Sequence, residues 1–97
     1  MSAAKRPDVL SLPAELTHAQ AKACLAQLTA GVGAEAGLSV VVNATALGRF
    51  DSSALAVLLE LRRVCQRAGK AMAVQGLPQQ LSDLAALYGI EGLLPST

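Results

Sequence analysis

Leu38-Ser-Val-Val-Val-Asn-Ala-Thr-Ala-Leu-Gly-Arg-Phe-Asp-Ser-Ser-Ala-Leu-Ala-Val-Leu-Leu59 is the stretch that decides the fold. Its consecutive valines show little alternation, the pattern of a central parallel strand with both faces covered. Asn43 to Phe50 reads as a loop carrying Gly48. A helix then opens at Asp51 or Ser52. Ala54, Val57, Leu58, Leu61, Val64, Cys65 and Ala68 make its apolar stripe, with Leu55 and Leu59 on the shoulder. Ala56, Glu60, Arg63 and Arg67 lie opposite, and Glu60 and Arg63 are spaced for a weak surface pair. Gly69 fits the end of this helix, and Arg62, Arg63 and Arg67 suit its negative C-terminal dipole.

Lys70 to Gln75 reads as the next strand. Strand, helix and strand within this length form a βαβ unit, whose two strands run parallel. Working outward, Asp8 to Pro13 is a short strand that must stop at Pro13 or lie at an edge. Thr17 and Gln20 make a capping box for a first helix with Ala21, Cys24, Leu25 and Leu28 on its apolar side. That helix should end near Gly31 and Gly33, with a flexible connection through Gly37. After Gly76, Pro78 suits the first position of a third helix, with Leu77, Leu81, Leu84, Ala85 and Tyr88 on its apolar face and Gly89 at its end. Glu91 to Thr97 is a short tail, and residues 1–7 are a loose leading one. The expected architecture is therefore α/β: a small mixed sheet with helices packed on it and a βαβ unit at its centre, spanning residues 8–95.

The 97 residues suffice for one domain with one modest core. Apolar residues make up 53% and charged residues 15%, which is far from a disordered composition and leaves apolar surface for a partner. Net charge is +1 and there is no Trp, so neither charge nor aromatic platforms point to nucleic acid. No stretch approaches the length of a membrane span, and the chain reads as cytoplasmic. Cys24 and Cys65 lie far apart, which fits free buried thiols, and with one His there is no metal-ligand spacing. No phosphate loop, dinucleotide fingerprint or nucleophile elbow occurs. We expect no catalytic residue, no metal and no cofactor. A hydrolase using Ser52 or Ser53 with His18 as base lacks any supporting motif.

Asp51-Ser52-Ser53 remains as the chemically interesting segment. A helix N-terminus has unpaired N–H groups and partial positive charge, so a single Asp or Ser there is ordinarily a cap. Three consecutive polar residues exceed what one cap needs. The loop also lies at the C-terminal end of a parallel strand, where open α/β sheets place their sites. A phosphate on Ser52 would be tolerated at the helix end and would change how the surface docks.

The element order and Phe50-Asp51-Ser52-Ser53-Ala54-Leu55 resemble the STAS domain, the family of bacterial anti-sigma factor antagonists. In that family an Asp-Ser/Thr-x-Gly-Leu segment opens the second helix, and its hydroxyl residue, Ser52 here, is the regulatory position and possible phosphoacceptor. Val74-Gln75-Gly76-Leu77, Leu84-Ala85-Ala86-Leu87-Tyr88-Gly89-Ile90 and Leu94-Pro95 are similar to the STAS subunits of Mla phospholipid ABC transporters. The resemblance implies a non-enzymatic accessory subunit, held at the inner membrane through its complex, that binds the cytoplasmic ATPase. Asp51, Ser52, Ser53, Leu55, Leu59, Arg62 and Arg63 are the implied contact residues. The alternative is an anti-sigma factor antagonist that binds an anti-sigma kinase and is phosphorylated at Ser52. Three departures stand out: Ala54 replaces the motif glycine, Asn43 replaces a strand-end acid, and the N-terminal hairpin is reduced to one strand.

Overall fold

The computed structural model describes residues 8–34 and 39–95. The leading residues 1–7, residues 35–38 and the last two residues fall outside that description, and with residues 35–37 the second half of the expected Gly31–Gly37 connection. The order of elements is β1 (Asp8–Ser11), β2 (Glu15–Leu16), α1 (His18–Ala34), β3 (Ser39–Asn43), β4 (Arg49–Phe50), α2 (Ser53–Arg67), β5 (Ala71–Gln75) and α3 (Gln79–Leu87), closed by a 3₁₀ turn at Glu91–Leu93. The main sheet has the order β1-β3-β5. Every described pairing is parallel, with Leu10 beside Val42 and Val42 beside Val74. The valine segment is central, and β3-α2-β5 is the expected βαβ unit. The α/β architecture is as expected, with no antiparallel component among the described strands.

The sheet is covered more on one face than on the other. Val40, Val42, Met72 and Val74 are buried, whereas Val41 and Ala73 between them are only half-buried and Val9 is 58% exposed. The uninterrupted valines therefore do not mark a strand buried on both faces. Helices α1 and α2 pack against each other and meet β1 and β5 respectively. From α1 come Cys24, Leu28 and Val32, spaced four apart on one stripe. From α2 come Ala54, Leu55, Val57, Leu58, Leu61 and Cys65. Full burial of Leu58 and Leu61 each contributes roughly 2–3 kcal/mol of transfer free energy. Burial also pushes the thiols of Cys24 and Cys65 above their ordinary value.

Helix ends follow the sequence signals with two exceptions. Thr17 donates from both its N–H (2.8 Å) and its hydroxyl (2.7 Å) to Gln20 Oε1, which fixes the start of α1. At the end of α2 the Lys70 N–H reaches Cys65 O (2.8 Å), and at the end of α3 the Ile90 N–H reaches Ala85 O (2.9 Å). These six-to-one bonds, across Gly69 and Gly89, are those of a Schellman close. The first exception is α1, which runs through Gly31 and Gly33 to Ala34. Gly31 is there for proximity: a Cβ on it would stand 2.7 Å from Leu10 Cδ2, so the missing side chain lets the helix lie against β1. The second is Pro78, which precedes the first helical residue of α3 instead of occupying it. Its carbonyl accepts the Leu81 and Ser82 N–H groups, both at 3.0 Å. The residues after α3 are more than a tail. Leu94 is buried, and Pro95 O accepts the Val74 N–H at 2.7 Å on the edge of β5.

Arg49 and Phe50, read as loop from the sequence, pair in parallel with Glu15 and Leu16. The Arg49 and Gly48 N–H groups both donate to Ala14 O, and Arg49 Nε lies 3.3 Å from Glu15 Oε2. β2 leads directly into α1 and β4 into α2. This small ladder therefore sets the two helix N-termini side by side.

The turn at Gly76 fixes the far end of the βαβ unit. Gly76 has φ +72°, and a Cβ there would run into the Thr45 methyl group and stand 3.4 Å from Thr45 Cα. Gly33, by contrast, is helical and has open space around it. Gly76→Ala should therefore destabilise the fold by about 1–3 kcal/mol, while Gly33→Ala should stabilise it by up to about 1 kcal/mol. Urea unfolding of both variants checks this; the same sign for the two would contradict the placement of Gly76.

Candidate functional site

Asp51 is the link between the two helix starts. Its Oδ1 accepts the Ser53 N–H at 2.8 Å and its Oδ2 accepts the His18 N–H at 3.1 Å. One carboxylate thus satisfies an orphan donor of α2 and one of α1, where two positive dipole ends meet. The Ser53 N–H and then the His18 N–H hold the Asp51 carboxyl below its ordinary 3.8, with smaller help from the Ser53 hydroxyl. His18 takes part through its main chain, which is a structural contact and not that of a general base.

Ser52 does not do what its position suggests. It is the N-cap residue of α2, with φ −63° and ψ −15°, yet its side chain makes no capping bond. Asp51 has taken that role, so the exposed Ser52 hydroxyl is left out of the helix start. It opens onto a groove of about 390 Å³ between the first turn of α2 and α3. Phe50, Leu81, Leu84 and Leu87 form its apolar lining, with Asp51, Gln80 and Asp83 among the polar groups. Leu87 is 77% exposed. Leu87 thus lies outside the core and, with Ser52, at the rim of this groove.

The other expected contact residues divide. Leu59, Arg62 and Arg63 share a second groove with Ala56, Glu60 and Leu93. Glu60 pairs with Arg63 at 3.7 Å and with Arg67 at 3.9 Å, and these exposed pairs contribute little to stability. Ser52, Ala56, Leu59 and Arg63 recur on one side of α2, a line about 16 Å long at the helical rise. Ser53 is half-buried and tied to Asp51. Leu55 has to be corrected. It is 2% exposed, inside the core and not on a shoulder, because the apolar stripe is wide enough to include the position after Ala54. Tyr88 is also corrected, being 57% exposed and not on the buried face of α3.

Sequence reasoning missed Phe50, Leu84 and Leu87 as lining of the Ser52 groove. The available signal was Leu87, which falls off the helical stripe that carries Leu81 and Ala85. Asn43 uses its Oδ1 locally, accepting the Thr45 N–H (3.0 Å) and hydroxyl (2.7 Å). Among the described residues no group of three or more His, Cys, Asp or Glu side chains is placed to hold a metal ion. No helix among them is long and apolar enough to cross a membrane.

Parallel βαβ geometry and an Asp-Ser pair opening the second helix define a small α/β domain with an exposed hydroxyl at the rim of an apolar groove. The chain belongs to the STAS domain family: the family model described as Mlab, STAS domain matches residues 1–95. Two solved structures are similar in fold. One is the anti-sigma factor antagonist SpoIIAA in its unphosphorylated form, at 17% identity and TM-score 0.72, covering 92% of this chain and 77% of that one. The other is an anti-sigma-factor antagonist (STAS) domain protein from Planctomyces limnophilus, at 17% identity and TM-score 0.75, covering 92% and 81%. No curated protein matches the chain.

The division of labour between Asp51 and Ser52 has a thermodynamic signature. The depressed carboxyl of Asp51 contributes stability that is fully present above its unfolded value and is lost as pH falls through the folded one. Asp51→Asn should lower the melting temperature most at neutral pH, and the gap from wild type should close as pH drops below 3.8. Ser52→Ala should stay within about 0.5 kcal/mol of wild type throughout. Melting curves across this range check both; a large cost for Ser52→Ala would return the capping role to Ser52.

Proposed function

We propose that this STAS domain is a non-enzymatic accessory subunit that binds the cytoplasmic ATPase of a phospholipid-transporting ABC complex. The observation that carries the reading is the Ser52 hydroxyl, free of capping, beside the exposed Leu87 in an apolar groove. The Mlab description of the matching family model supports the choice of partner.

In this reading the partner covers the Ser52 end of α2, the line through Leu59 to Arg63, and the exposed edge of α3. Leu87 and Leu59 act as apolar anchors, while Arg62 and Arg63 lie at the rim, where charge tunes encounter rates more than affinity. The rigid seat is Asp51, which fixes both helix starts before any partner arrives. Binding energy then stabilises an assembly-competent ATPase, and ATP is bound and hydrolysed by the partner alone. The subunit is cytoplasmic and reaches the inner membrane through its complex.

A second reading is an anti-sigma factor antagonist whose Ser52 is phosphorylated by an anti-sigma kinase. The exposed, uncommitted Ser52 hydroxyl favours it, because a kinase needs such a group. Asn43 weighs against it, since a charged residue is lacking at that strand end.

Ser52→Arg separates folding from docking. The variant should melt like wild type, since Ser52 makes no capping bond, yet its affinity for the purified ATPase should fall by at least about tenfold, the cost of a charge at a tight contact. Calorimetric titration reads this. Wild-type affinity for Ser52→Arg would show that this end of the helix faces solvent in the complex. Phosphate transfer to Ser52 by a co-purifying serine kinase, without ATPase binding, would favour the second reading.

A further inference from the structure

The groove beside Ser52 carries a charge pattern as well as an apolar lining. Asp51 and Asp83 both line it, and no Lys or Arg does. The two carboxylates are not equivalent. Asp51 is engaged by two main-chain N–H groups at paired helix starts, which offset its charge. Asp83 is exposed and, among the described residues, accepts only the neutral Gln79 side-chain amide, at 2.8 Å. It lies one residue before Leu84 and one helical turn before Leu87, the two leucines of the groove on α3. A carboxylate that no described cation pairs with therefore sits on the same helix wall as the most exposed leucine among the described residues. The basic side chains Arg62, Arg63 and Arg67 lie far along α2, where they accompany Glu60.

We propose that this groove selects a segment of the ATPase partner in which a bulky apolar side chain is flanked by Lys or Arg. The apolar group seats among Phe50, Leu84 and Leu87, and the cation faces Asp83. The inference rests on the docking reading above and adds the chemistry of the occupant. An acidic or neutral segment of the same shape would leave Asp83 unpaired at the contact and be rejected by it. Charge pairing at a rim is screened by salt, whereas apolar seating is not. The two contributions can therefore be read separately.

The experiment measures affinity of the full chain for the purified ATPase at about 50 and about 300 mM salt, where the screening length shrinks from roughly 14 Å to under 6 Å. Wild type, Asp83→Asn, Asp83→Lys and Leu87→Asp are compared, each with a melting curve. Asp83 is exposed, so its variants are expected to fold. Wild-type binding should weaken with salt by several-fold, Asp83→Asn should lose most of that dependence, and Asp83→Lys should bind about tenfold more weakly at low salt. Leu87→Asp should lose binding at both salts. If Leu87→Asp loses binding while Asp83→Lys binds like wild type, the docking reading stands and the charge selection is wrong. If Leu87→Asp also binds like wild type, the docking site itself is wrong. Self-association that Leu87→Asp abolishes, seen by sedimentation, would assign the groove to a second copy and overturn the proposal.

Discussion

The Asp51 carboxylate, shared between the His18 and Ser53 main-chain N–H groups, is the contact on which the rest of the site depends. A helix start leaves donors unsatisfied, and two starts brought together would repel through their dipoles. One carboxylate between them resolves both problems. It can do so only because β2 and β4 pair in parallel and deliver α1 and α2 from the same end. Since Asp51 supplies the cap, Ser52 is released from it. A structural duty placed on one residue thus leaves its neighbour's hydroxyl exposed and out of the helix start.

The covering of the sheet follows a similar economy. α1 and α2 bury the face that carries Val40, Val42, Met72 and Val74. The row of Val9, Val41 and Ala73 on the other face stays partly open. With one core to build and few large side chains, the chain spends its leucines between helix and sheet. α3 contributes Leu81 and Ala85 to that core and turns Leu87 outward. The same short helix both closes the core and forms one wall of the Ser52 groove.

What the sequence made legible were features with local causes. The valine strand, the Thr17–Gln20 start, and the ends at Gly69 and Gly89 depend on residues within one turn of each other, and all are where they were expected. The Asp-Ser segment at the opening of α2 was equally readable. What escaped depends on residues distant in sequence. Gly31 looked like a helix stop because its reason is Leu10, across the fold. Arg49 and Phe50 looked like loop because two-residue ladders have no period to detect. Leu55 looked like a shoulder because the width of the buried stripe is set by α1 packing alongside. The cap of α2 was open between Asp51 and Ser52, and the part of Asp51's role that escaped is its bond to the His18 N–H, 33 residues away in sequence. The groove, built from α2 and α3, is visible only once both are in place.

The central claim is that the first turn of α2 and the exposed edge of α3 form one docking surface. Amide hydrogen exchange of this chain, free and saturated with the purified ATPase, tests it directly. The account predicts added protection across Phe50 to Ala56 and Gln80 to Tyr88, with the open face of β1 and β3 unchanged. Protection confined to that open face, with the start of α2 exchanging as in the free protein, would contradict it.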